Sequence, residues 1–111
     1  MGVFRVYLAA IFVAVTIYTV PVVLEYGLIL FQVFFSDMAE MGWPGQFNFD
    51  FMMMLLMSAT WVAWRHQFSA VGLLLAVPAF LGGAPFLTAY LLYQSFQTDD
   101  VATLLLGEGR T

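Results

Sequence analysis

An all-α membrane protein is the fold class this sequence predicts, and three observations predict it. Residues 67–98 form an unbroken run of thirty-two without Asp, Glu, Lys, Arg or His. Charged residues make up 9% of the 111 and apolar ones 63%, whereas soluble proteins carry about 25% charge. Aromatic residues reach 18%, with tryptophans at both ends of an apolar stretch, as at two membrane surfaces. A helix rising about 1.5 Å per residue crosses a hydrocarbon core of about 30 Å in roughly 20 apolar residues. A soluble domain of this length has no core able to hide a helix that is hydrophobic all round.

The first apolar segment, about residues 4–24, ends at Glu25. It exceeds the apolar length of a cleaved signal peptide, and Thr19-Val20-Pro21 offers no small-x-small cleavage site, so it is expected to be a retained span. Residues 26–36 (YGLILFQVFFS) continue the apolar character. One straight helix through both would exceed the hydrocarbon thickness, and Pro21 removes a backbone donor just before Glu25. The second stretch is therefore read as an interfacial or re-entrant piece. Trp43-Pro44-Gly45 then reads as a turn.

The second span is expected over residues 49–64, with Asn48 as its N-cap and Asp50 in its first turn, where the helix dipole favours an anion. Arg65-His66-Gln67 forms a polar turn, and Ser69 caps a third span over residues 70–96. That span would be about 40 Å long if straight, so Pro78, Gly82-Gly83 and Pro85 must bend or tilt it. Each proline also frees a carbonyl, of Leu74 and Leu81, in a medium without water. Such breaks line cavities in some transporters and are repaired by neighbouring helices in others. In the tail, residues 97–111, Asp99 and Asp100 precede a short amphipathic helix over 101–106 that Gly107 ends. Leu104, Leu105 and Leu106 could lay it on the membrane surface.

Three spans would place Arg5 and the Arg65–His66 turn on one side, and Glu25, Asp37, Glu40, Asp50, Asp99, Asp100, Glu108 and Arg110 on the other. The cation count, two against one, puts the N-terminus in the cytoplasm and the C-terminus across the membrane, which is taken as a bacterial cytoplasmic membrane. A net charge of -4 without a basic cluster argues against nucleic acid. Cysteine is absent, which removes disulfides, thiolate metal sites and a thiol nucleophile.

Helices in lipid associate through close packing of small residues. Gly72, Ala76, Ala79 and Gly83 form one such face on the third span, answered by Ala59 and Ala63 on the second and by Ala10 and Ala14 on the first. Trp43, Trp61, Trp64, Arg65 and His66 are the expected interface anchors. Glu25 and Asp50 are the candidate ligand or proton site, weighed against plain helix-end charges facing water. A lone histidine excludes bis-histidine haem ligation within the chain. Met52, Met53, Met54 and Met57 suit adaptable packing better than soft-metal binding. Ser58, Thr60 and Thr88 have no base near them in sequence. No catalytic residue, metal site or cofactor is expected.

Phe47-Asn48-Phe49-Asp50, Trp61-Val62-Ala63-Trp64-Arg65-His66, Gly82-Gly83 and Tyr90-Leu91-Leu92 occur in an order that resembles short, uncharacterised bacterial inner-membrane proteins with three spans. The resemblance covers about residues 6–95 and implies an integral membrane protein without carrying over a functional residue. The chain is also similar in size to the small membrane subunits of carotenoid lycopene cyclases. It departs from their compact proline–diacid motif, because Val22-Val23-Leu24 separates Pro21 from Glu25. The expectation is a small non-enzymatic accessory or scaffold subunit. Surrounded by membrane lipids, it would pack against a larger membrane complex or against itself. The competing expectation is a binder, carrier or cyclase for an isoprenoid, quinone or other lipid-like molecule, using Tyr90, Tyr93, Glu25 and Asp50.

Overall fold

The computed structural model describes residues 2–98 and 100–107. These form five α-helices: α1 (Gly2–Tyr26), α2 (Leu30–Ala39), α3 (Trp43–Arg65), α4 (Ala70–Ser95) and α5 (Val101–Leu106). A single 3-10 turn, Gly27–Ile29, separates α1 from α2. Two helices, α1 and α4, are long and apolar enough to cross a membrane by length and composition, and α2 is a shorter apolar helix.

Of the 25 residues in α1, only Leu8 is buried. The helix runs through Pro21, and the chain breaks instead at Gly27, whose φ of 63° ends the regular hydrogen-bond ladder. α2 lies antiparallel against the first half of α3. Asn48 Nδ2 donates to the Phe34 carbonyl at 3.1 Å, and a Cβ on Gly45 would run into the Asp37 carbonyl oxygen. Only glycine lets the two backbones meet there.

α3 begins six residues earlier than the expected start of the second span. Gly42 is its N-cap and Pro44 occupies the first turn, where a missing N–H costs nothing. The reading of Trp43-Pro44-Gly45 as a turn and of Asn48 as a cap is therefore corrected. Asp50 consequently sits two turns into an apolar helix, not at its edge. The α3–α4 turn closes through Phe68 N–H donating to the Ala63 carbonyl at 2.8 Å. Ser69 then caps α4 by accepting from Gly72 N, as its position implies.

α4 is not a straight rod. His66 bonds the Tyr90 hydroxyl at 2.6 Å, while a Cβ on Gly72 would lie 2.7 Å from His66 Cβ. Eighteen residues of straight helix would hold Gly72 and Tyr90 about 27 Å apart. The chain doubles back at Gly83, whose φ 58° and ψ −141° fall in a region that is essentially glycine's alone. One arm, residues 70–82, runs antiparallel along α3 until Gly83 meets Phe51 and Leu55. The second arm, residues 84–95, returns to the level of Arg65. Pro85 stands in the first turn of that returning arm, so it sacrifices no helical bond.

Each arm, at about 18–20 Å, is shorter than a hydrocarbon core of about 30 Å. The span expected over residues 70–96, bent or tilted at its prolines and glycines, is in the structure a helix that reverses at Gly83. The placement of the tail opposite Arg5 is corrected with it. Arg5 binds Ser95, and α5 packs on α3 beside Arg65, so residues up to Gly107 share one end of the molecule with the start of α1. Asp99, Glu108 and Arg110, counted in the charge sorting above, lie outside the described residues. The buried core is small: Leu8, Ala59, Val62, Ala79, Tyr90, Leu91 and Leu104.

Candidate functional site

The densest polar arrangement lies where α3 ends, α4 returns and α5 docks. The last carbonyls of any helix lack intrahelical partners and carry a partial negative charge, so a cation placed there is favoured. α4 and α5 both lack a basic residue in their last turn. The chain brings one from elsewhere to each. Arg5 donates through Nη2 to the Ser95 carbonyl at 2.5 Å and through Nε to Ser95 Oγ at 3.1 Å, with its guanidinium 4.5 Å from the centre of the Phe96 ring. Arg65 donates through Nε to the Leu104 carbonyl at 2.5 Å. Trp61 Nε1 takes the adjacent Leu105 carbonyl at 3.1 Å.

Arg65 is 9% exposed, with its guanidinium 5.9 Å from the Tyr90 ring centre. Its Nη1 donates to the Tyr90 hydroxyl at 3.3 Å. That oxygen thus accepts from Arg65, leaving its own O–H to donate to His66 Nε2 at 2.6 Å. The network so assigned calls for a neutral imidazole with Nε2 free of hydrogen. The His66 pKa agrees: burial, then the Arg65 charge, push it below its ordinary 6.5. Tyr90 is held by rings on several sides, stacked on Phe86 at 5.9 Å and edge-on to Trp61 at 6.1 Å.

Asp100 caps α5, accepting from Thr103 N–H at 2.6 Å, and that bond holds its carboxyl below the usual range. The short helix predicted over 101–106 is present, ended by Gly107 at φ 89°. Leu104 is fully buried against the bundle, while Leu105 stays exposed. A cavity of about 300 Å³ opens beside this network, walled by Arg65, His66, Gln67, Gln94, Gln97 and Thr98.

Among the expected interface anchors, Trp43 and Trp64 are exposed, as an anchor requires. Arg65 is buried and bonded to Leu104 and Tyr90. His66 is half-buried and committed to Tyr90. The small-residue face of α4 turns inward. Gly72 and Ala79 are buried, and Gly72 packs on Ala63 and His66, while Ala10 and Ala14 of α1 stay exposed.

Glu25 and Asp50 are exposed, and neither makes a hydrogen bond or ion pair within the described residues. Met53, Met54 and Met57 face outward. Met52 joins Phe31, Phe34, Phe47, Phe51 and Phe80 around an apolar groove of about 550 Å³, where α2, the first half of α3 and the bend of α4 meet. The Thr60 and Thr88 hydroxyls donate to carbonyls one turn back, Leu56 and Ala84, so each is spent on its own helix. No group of three or more His, Cys, Asp or Glu side chains gathers among the described residues.

Sequence reasoning paired Arg65 with His66 in the turn but did not join Tyr90 to them, and it missed the Arg5–Ser95 contact. The available signal was two helix ends without a local cation, in a chain with three arginines. No family model, no curated protein and no solved structure matches this chain.

Proposed function

We propose that this chain is a small non-enzymatic integral membrane protein that acts as an accessory or scaffold subunit, packing through α1 against a larger membrane complex or a second copy of itself. One observation carries the proposal: in an apolar, bilayer-length helix of 25 residues, only Leu8 is buried within the chain and most of the others are exposed. Neighbouring α2 has no buried residue either. Exposed aliphatic and aromatic surface on this scale is stable only when lipid or another protein covers it. Close approach is open to a partner at Ala10 and Ala14, which the chain leaves uncovered.

In this arrangement α1 and α3 extend through the bilayer and α4 dips in and returns. Arg5, Arg65 and His66 then stand at one end, with Asp37 and Glu40 at the other. The positive-inside rule assigns the arginine end to the cytoplasm, and residues up to Gly107 lie on that same side.

Native mass spectrometry of the chain extracted from its own membranes in mild detergent tests the role. The expected result is a stoichiometric membrane-protein partner or a defined homo-oligomer. Because the chain has no cysteine, Ala10→Cys or Ala14→Cys gives a clean cross-linking site for the same contact. Recovery solely as a monomer, without cross-links, would overturn the reading.

A second reading, a binder of an isoprenoid, quinone or acyl chain, is favoured by the aromatic groove of about 550 Å³. Its acid-dependent version would use Glu25 and Asp50, whose side chains are exposed and unpartnered among the described residues. A monomer that carries one bound lipid-like molecule would select this second reading.

A further inference from the structure

We infer that the polar cavity beside Arg65 is a binding site for a phosphate group, either the phosphodiester of a lipid headgroup or a free phosphate. Arg65 supplies the charge. Arg65 is 9% exposed, and the described residues give its guanidinium only neutral partners, the Leu104 carbonyl and the Tyr90 hydroxyl. A buried cation without a counter-charge is costly, and an anion in contact with it removes that cost. Among the described residues Nη2 has no hydrogen-bond partner. Arg65 also lines the cavity of about 300 Å³.

The remaining walls fit the same ligand. Gln67, Gln94 and Gln97 bring amide N–H donors from two sides, the α3–α4 turn and the end of α4, and Thr98 adds a hydroxyl. A tetrahedral phosphate presents oxygens in several directions to such divided walls, whereas a planar carboxylate presents two in one plane. Asp100, the described acid nearest in sequence to these walls, is exposed and committed to capping α5. The site stands at the end of the molecule where α1 begins, which in a membrane is headgroup level. The inference goes beyond the proposed accessory role and needs no partner protein.

The test uses the full chain in phosphate-free maltoside micelles and has two arms. Calorimetric titration with inorganic phosphate reads the free anion. Native mass spectrometry after adding phosphatidylglycerol, with diacylglycerol as the phosphate-free control, reads the headgroup. Gln94→Glu places a carboxylate in the cavity while leaving both Arg65 hydrogen bonds in place, and Gln97→Glu is the second variant should the first fail to fold. We expect the wild type to bind in at least one arm and the variant to bind about ten-fold more weakly or worse, since one charged contact is worth that much. The variant should also unfold no more easily than the wild type, because its carboxylate supplies the missing counter-charge. Retention of phosphatidylglycerol alone identifies a headgroup site, and a response to inorganic phosphate identifies a soluble anion. Binding in neither arm, or equal binding by wild type and variant, would overturn the inference.

Discussion

Replacing Arg65 with methionine tests the network that fastens α5 and the returning arm of α4 to α3. Methionine keeps most of the aliphatic stem and its packing, so the loss falls on the guanidinium. The Nε bond to the Leu104 carbonyl, at 2.5 Å, is a charge-assisted bond worth about 1.5–3 kcal/mol. The bond to Tyr90 is long at 3.3 Å and adds less than one such unit. Against this, the substitution releases the penalty of burying a cation that has only neutral partners, which offsets part of the loss. The net expectation is a destabilisation of about 2 kcal/mol, built from those bond values. Arg65→Lys should fall between, because one ammonium cannot match the fork that serves Leu104 and Tyr90 together. Denaturant unfolding in micelles, followed by tryptophan fluorescence, measures both variants, since Trp61 bonds the next carbonyl of the same helix end. A double-mutant cycle with Tyr90→Phe separates the tyrosine contribution. If Arg65→Met unfolds within about 0.5 kcal/mol of the wild type, the usual range for unremarkable surface changes, the buried arginine is not what holds α5 and the argument fails.

Three other outcomes are expected. Gly83→Ala should cost about 1–3 kcal/mol, because φ 58° combined with ψ −141° strains any side chain and a Cβ would stand 3.1 Å from Phe51 Cζ; an unfolding midpoint equal to the wild type would contradict the bend. The His66 pKa is depressed in the folded chain, so the folded state binds the proton less readily than the unfolded one. Its contribution is complete above the ordinary value of 6.5 and is lost as pH falls below it, through the lowered value. Unfolding at pH 5 should therefore be easier than at pH 7, and His66→Gln should flatten that difference. In oriented membranes, single cysteines at Val3 and Ala102 should label from one side and a cysteine at Met41 from the other; joint labelling of 41 and 102 would restore a third span that crosses the membrane.

How much of this was legible in the sequence depends on the range of the interaction. Ser69 and Asp100 were readable as caps because each bonds a backbone N–H three residues ahead. The helical stretches were readable from apolar length. Residues 67–98 could be recognised as a break-prone helix, but two prolines and two glycines do not say whether a helix tilts, kinks or reverses. The reversal depends on Gly83 reaching Phe51 and Leu55 of α3, a contact some thirty residues away in sequence. Asn48 illustrates the opposite error. Its type and place suit an N-cap, yet its side chain is spent across the gap to Phe34, and Gly42 with Pro44 starts the helix a full turn and more earlier. The buried arginine was hidden for the same reason, since its partners Tyr90 and Leu104 lie 25 and 39 residues away.

The two described arginines are also what make the doubled-back α4 tenable. A hairpin of two short apolar arms leaves a helix end, at Ser95, close to where the chain entered, and a further six-residue helix leaves another at Leu106. Orphan carbonyls at such ends are tolerable in water but costly near hydrocarbon, where each unsatisfied group costs several kcal/mol. In a straight span, Ser95 would emerge on the far side of the membrane, distant from Arg5 and from Arg65. With the chain reversed at Gly83, Arg5 caps Ser95 and Arg65 caps Leu104 at the same end. The positions of the cations and the reversal at glycine are thus one arrangement: neither arginine reaches its helix end without the bend, and the bend leaves bare carbonyls without the arginines. Loss of Gly83 should therefore disturb the environment of Arg65 and Tyr90, although about ten residues of helix separate the bend from that network. Near-ultraviolet dichroism of the Trp61–Tyr90 pair should change in Gly83→Ala as much as in Arg65→Met. If Gly83→Ala leaves that signal intact, the bend and the arginine network are independent features.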